Sequence, residues 1–225
     1  MLRKKLLVFL FLLCAGSLFG QETVKYDSSY KKPNFVRKME FFQNLPVKKD
    51  AIVFLGNSIT EAGRWQEMDP DRIILNRGIG GDNTFGLLAR AKTIIDLRPR
   101  KLFIMIGIND MARRIPIDIV MRNYRKLITA FKSAIPQTQV YVQSVLPVDT
   151  KLSKGNYQTA NPLVIELNKE LQKMAKELQV TYVDLHPVFA DANGELKTEF
   201  SKDGVHLYDR AYMAWFRYLK EKKYL

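Results

Sequence analysis

The chain predicts an α/β fold built on a mainly parallel sheet. Three observations carry that prediction: five short apolar runs are continuous rather than alternating, the segments between them place apolar residues at helical spacing, and no repeat, low-complexity tract or long linker breaks the rhythm. Unbroken apolar runs mark strands covered on both faces, the usual condition of parallel strands.

Phe35, Met39 and Phe42 share a helical face and predict a leading helix that serves packing. Strands are expected at 52–55, 73–75, 102–106, 140–145 and 180–183. Between the third and fourth, Val120, Tyr124, Leu127, Phe131 and Ile135 form one apolar stripe, which leaves Arg122, Arg125, Lys126 and Lys132 to water. Val164, Leu167, Leu171, Met174 and Leu178 form a second stripe, and segments 84–97 and 209–222 follow the same pattern. Parallel strands cross over right-handedly, so helices cover both faces and the loops that leave the strands gather along one edge. Ligands bind at that edge.

Residues 1–20 read as a signal peptide: Arg3, Lys4 and Lys5 lead into an apolar run that ends near Gly20. That run is shorter than the roughly 20 residues needed to span a bilayer, which favours an exported, periplasmic or secreted protein with no integral membrane segment after cleavage. Residues 21–225 are then expected to form a single domain, with 21–50 as a helical N-terminal extension. Cys14 is the only cysteine, so cleavage leaves no thiol and excludes disulfides and cysteine catalysis. Lipidation at Cys14 is the alternative, and the bulky Leu13 before it argues against that.

The formal charge is +13, and loss of the three basic residues of the signal leaves +10. The lysines are scattered over helix faces rather than gathered in a stripe, so a solvated surface explains most of them, and no nucleic-acid partner is expected. Acidic glycans or lipid head groups remain compatible partners. Two histidines and a single, signal-borne cysteine make a zinc site improbable. No cofactor or metal is expected.

Function turns on the residues at the carboxyl end of each strand. Gly56-Asn57-Ser58-Ile59-Thr60 delivers a serine to the sheet edge as a nucleophile would be delivered, although serine is also a favoured helix N-cap. Asn76-Arg77-Gly78-Ile79-Gly80-Gly81-Asp82-Asn83 is a glycine-rich loop whose amides could hold an anion, or simply a tight turn. It lacks the third glycine of a dinucleotide fingerprint and the lysine of a phosphate loop. Gly107-Ile108-Asn109-Asp110 places an amide side chain that could donate to an oxyanion or form a turn. Finally, Asp203 stands three residues before His206, a spacing that lets a carboxylate hold an imidazole base. His186, before Pro187, reads as structural.

With these four blocks in order, the chain resembles the SGNH hydrolase family, also called GDSL-type esterases and lipases, over nearly all of residues 50–220. The resemblance implies a three-layer α/β/α sandwich of flavodoxin-like type with a mainly parallel five-stranded sheet. It makes Ser58 the nucleophile, Asp203 and His206 its partners, and Ser58, Gly81 and Asn109 the oxyanion donors. The family usually carries aspartate where this chain has Asn57, a change that removes a charge beside the nucleophile without removing a catalytic role. Asn57, Arg64, Trp65 and Tyr157 are expected in the substrate pocket. The expected activity is hydrolysis of short acyl esters, above all acetyl, on small molecules or glycans. A lipid acylhydrolase and a non-catalytic glycan-binding module are the alternatives.

Overall fold

The computed structural model describes residues 29–225. The signal expected at 1–20, with Cys14, lies outside them. The chain begins with α1 (Pro33–Gln43), where proline at the first turn needs no amide partner. Next come β1 (Ile52–Gly56), the single turn α2 (Ser58–Glu61), β2 (Ile74–Gly78), α3 (Thr84–Ala89), α4 (Ala91–Leu97) and β3 (Lys101–Met105). The chain continues through α5 (Ile108–Ala112), α6 (Ile117–Ala134), β4 (Gln139–Gln143), α7 (Asn161–Glu177), β5 (Thr181–Val183), α8 (His186–Phe189) and α9 (Asp209–Glu221). No helix among the described residues is long and apolar enough to cross a membrane.

The five strands form an all-parallel sheet in the order β2-β1-β3-β4-β5. Connections that step from β2 towards β5 must lie on one face if they are right-handed, and α6 does pack against α3, α4 and α7. On the other face Phe54, Phe103 and Tyr141 are register partners on adjacent strands and stack with centroids 4.9 and 4.5 Å apart. Trp65 stacks on Phe54, and Trp215 of α9 meets Trp65 edge-on. The outer strands β2 and β5 carry partly exposed residues, as edge strands do, whereas β1 is buried throughout.

One expected helix is two. Segment 84–97 breaks at Arg90, whose backbone leaves the helical region (φ −111°, ψ 9°). The break turns a fully buried guanidinium inward to bond three groups at the sheet edge: Asp82 Oδ2 at 2.8 Å, the Arg77 carbonyl at 2.8 Å and the Gly56 carbonyl at 2.9 Å. Apolar periodicity continues through this break and so could not reveal it.

In this strand order the chain reverses direction between β1 and β3, and the crevice at that reversal is where an open parallel sheet binds its ligand. Ser58 comes after β1 and Asn109 after β3, one on each side of it.

Candidate active site

Asn57, not Ser58, caps α2: its Oδ1 accepts from the Ile59 N–H at 3.0 Å. Ser58 is the first helical residue, where an N–H has no intrahelical acceptor, and its hydroxyl is free of capping duty. Ser58 Oγ lies 2.9 Å from His206 Nε2, across 148 residues of chain. Asn57 is buried, which corrects its expected place in the substrate pocket: its oxygen is committed to the backbone.

His206 is held by its own loop. Asp203 Oδ2 lies 2.7 Å from His206 Nδ1, while Oδ1 accepts from the N–H groups of Val205 (3.0 Å) and His206 (2.7 Å). Burial pulls the Asp203 carboxyl upward, but the hydrogen bonds from His206 and Val205 outweigh it and hold the group below the usual carboxylate range. An ionised Asp203 places the ring proton on Nδ1 and the lone pair on Nε2, facing Ser58. The turn between them needs Gly204: its φ is +85°, and a side chain there would meet the Asp149 carbonyl at 2.6 Å.

The glycine-rich loop packs beside the serine. A methyl group built on Gly80 would stand 3.9 Å from Ser58 Cβ. Asn109 Nδ2 donates to the Asp82 carbonyl at 2.8 Å, and its Oδ1 accepts from Tyr157 at 2.7 Å, which fixes which end of the amide is the donor. Arg113 Nη2 holds the Gly81 carbonyl at 3.0 Å. A serine facing a carboxylate-held imidazole and flanked by a glycine loop and an oriented amide is an arrangement suited to acyl transfer.

Comparison with known proteins agrees. The model of the GDSL-like lipase/acylhydrolase family matches residues 54–214. The chain belongs to that family. It is an acylhydrolase, an enzyme of the carboxylic ester hydrolase class. It is 25% identical over 171 residues to the platelet-activating factor acetylhydrolase IB subunit alpha1 of Rattus norvegicus, covering 71% of this chain and 69% of that one. A structure from Streptococcus pneumonia named for platelet activating factor superposes with TM-score 0.75 at 26% identity, covering 88% of this chain and 94% of that one. A GDSL-like lipase from Bacteroides thetaiotaomicron does so with TM-score 0.71 at 25% identity, over 85% and 98% of the two chains.

Two expected pocket residues of this acylhydrolase stand elsewhere. Trp65 is 1% exposed, stacked on Phe54 at 4.0 Å and bonded through Nε1 to the Thr60 carbonyl, so it is a core residue and not a pocket wall. Arg64 is exposed, faces Glu67 at 3.7 Å, and borders a hollow with Met68, Asp209, Tyr212 and Met213. Tyr157, by contrast, reaches the site through Asn109. His186 stands at the start of α8 with its N–H donating to Ser144 Oγ, which ties the segment after β5 to the end of β4.

Sequence reading missed Tyr212, whose hydroxyl donates to the Ile59 carbonyl at 2.7 Å and ties α9 to the turn that carries Ser58. It also missed the N-terminal segment, expected only to pack. Asn83 Nδ2 donates to Ser29, Lys38 pairs with Glu61 at 2.8 Å, and Arg77 lies over the Phe42 ring at 4.7 Å. These contacts bring α1 and the turn before it against the sheet edge.

Asp110, behind the glycine loop, is fully buried and accepts from the Thr84 N–H at 3.1 Å and the Thr84 hydroxyl at 2.6 Å. Burial outweighs those bonds and raises its carboxyl from 3.8 to about 7. A group that keeps its proton in the fold but loses it in the unfolded chain stabilises fully below the unfolded value, and stability declines as pH rises through the window from 3.8 to about 7. The decline is up to roughly 4 kcal/mol. Asp110→Asn keeps an acceptor for Thr84 and removes the titration. The melting temperature of wild type relative to Asp110→Asn is expected to drop from pH 4 to pH 7, and a constant difference would refute the assignment.

Proposed function

We propose that the chain is an exported serine esterase that hydrolyses short acyl esters, acetyl above all, on carbohydrates. The observation that carries this reading is the Ser58–His206–Asp203 relay, with contacts of 2.9 and 2.7 Å. His206 Nε2 takes the hydroxyl proton as Ser58 Oγ bonds the ester carbonyl carbon, and the N–H groups of Ser58 and Gly81 with Asn109 Nδ2 receive the oxyanion. The same proton passes to the departing alcohol, leaving an acyl group on Ser58. Water then gives a proton to Nε2 as it attacks the acyl carbon, and that proton returns to Oγ as the acid leaves.

The relay lies near the surface, with the side chains of His206 and Asp203 38% and 48% exposed, which suits a small acyl group on a bulky alcohol. The name of the rat relative also favours acetyl. That name equally favours a second reading, an acetyl-phospholipid or lysophospholipid hydrolase. A series of p-nitrophenyl esters from acetyl to dodecanoyl tests the choice: kcat/KM is expected to be highest at acetyl and to fall by octanoyl. Activity that climbs beyond butyryl would overturn the short-acyl reading in favour of the lipid one.

A further inference from the structure

The turn before α1 carries a cation to the mouth of the site. A methyl group built on Gly81 would stand 3.8 Å from both Cδ and Nζ of Lys32. Lys32 is exposed, and its ammonium has no ion-pair partner among the described residues. Arg113 grips the carbonyl of that same glycine, and its Nη1 is buried with no hydrogen-bond partner among the described residues. The charge of Arg113 is felt at the site: burial raises the Tyr157 phenol, and Arg113 opposes the rise. Of the acids close by among the described residues, Glu61, whose Oε2 would stand 3.0 Å from a methyl group on Gly80, is paired with Lys38 and Asp82 with Arg90, which leaves ionised Asp203, also felt by Tyr157, as the one anion set against the two cations. Two cations therefore bracket Gly81, the expected oxyanion donor, with positive charge left over.

Lys32 is also held in place. It precedes Pro33 at the start of α1, and its backbone N–H is taken by the Tyr30 carbonyl at 2.7 Å while its own carbonyl accepts from Phe35 and Val36. Tyr30 packs edge-on against Phe35, and Asn34 Nδ2 would stand 3.2 Å from a methyl group on Gly80. The turn is thus seated on the glycine loop.

We propose that Lys32, backed by the charge of Arg113, forms an anion-recognising subsite, and that the preferred ester carries a carboxylate or phosphate close to the scissile carbonyl. This deepens the esterase reading above and rests on it. An oxyanion group beside the ester would pair with the ammonium, and the net positive charge of the chain would draw such substrates in.

Two matched pairs of acetyl esters test it: an acetylated methyl glucoside against the corresponding glucuronide, and monoacetylglycerol against acetylglycerol phosphate. Wild type is expected to favour the charged member by about twofold to fivefold in kcat/KM, the range of exposed ion pairs. The ratio should shrink at high salt. Lys32→Met, which keeps the aliphatic stem, should bring the ratio close to one. Lys31→Met, which removes the neighbouring exposed charge, should leave the ratio as it is and so separates a local subsite from general attraction. The pair with the larger ratio identifies carboxylate or phosphate as the source.

No preference in wild type, or a ratio that survives Lys32→Met, overturns the subsite. A variant effect that lowers both members equally also overturns it, because that is the mark of a structural role. Labelling of Ser58 by a fluorophosphonate, run in parallel, keeps the two readings apart: labelling without charge preference sinks the subsite alone, and failure to label sinks the esterase mechanism and the subsite with it.

Discussion

Ser58→Ala is expected to lower kcat/KM for an acetyl ester by about 10,000-fold or more, because the other members of a nucleophile relay retain little activity without the attacking oxygen. Among the described residues the hydroxyl makes one side-chain hydrogen bond, to His206, and caps nothing, so its loss leaves the fold intact. The melting temperature should therefore stay within about 2 °C of wild type, well below the shift that loss of a buried interaction brings. Kinetics and thermal unfolding on one preparation check both halves. Residual activity within tenfold of wild type would assign the chemistry to another group. A large fall in melting temperature would instead make Ser58 a structural residue.

Arg90→Met is expected to produce the reverse pattern, a loss of stability. Removing the guanidinium strips partners from Asp82 and from the Gly56 and Arg77 carbonyls in one stroke. Burial works against both charges, raising the Asp82 carboxyl and lowering the Arg90 guanidinium, so each depends on the other at 2.8 Å. Breaking a buried pair by deleting one partner costs about 3–5 kcal/mol, a large share of the roughly 5–15 kcal/mol that holds a domain together. The melting temperature should fall by about 10 °C or more. Adding Asp82→Asn to Arg90→Met should recover part of the loss, because the orphaned charge is gone. A single variant that melts within about 3 °C of wild type would show that the cluster contributes little. The position of the cluster gives the loss a functional meaning: Gly56 lies two residues before Ser58, and the Asp82 carbonyl holds Asn109.

Most of the sheet could be read from residue spacing. Strand positions came within three residues of those observed, because continuous apolar runs report burial on both faces without reference to any partner. Ser58, Asn109, Asp203 and His206 could be singled out because each comes after a strand or precedes the last helix in a short block of turn-forming residues, whereas Gly81 was picked from its glycine-rich loop only by the family resemblance. Trp65 shows where such reading fails. It was expected in the substrate pocket, yet an indole stacked on Phe54, which itself stacks on Phe103, and met edge-on by Trp215 gains far more from the aromatic cluster than from water.

By itself the sequence determined an α/β chain with a serine, a glycine loop, an amide and an Asp-x-x-His pair at the ends of elements that must share one edge. Those features are local, since period and turn chemistry act over a few residues. Only the tertiary structure decided that Asn57 caps so that Ser58 need not, that Arg90 breaks its helix to bind the sheet edge, that Tyr212 ties the last helix to the first turn, and that Lys32 comes to rest over Gly81. The last three join groups whose burial and partners exist only once distant segments have packed, and no spacing within one segment records them; the Asn57 cap spans two residues, but asparagine and serine are both favoured caps, so spacing does not say which of them serves.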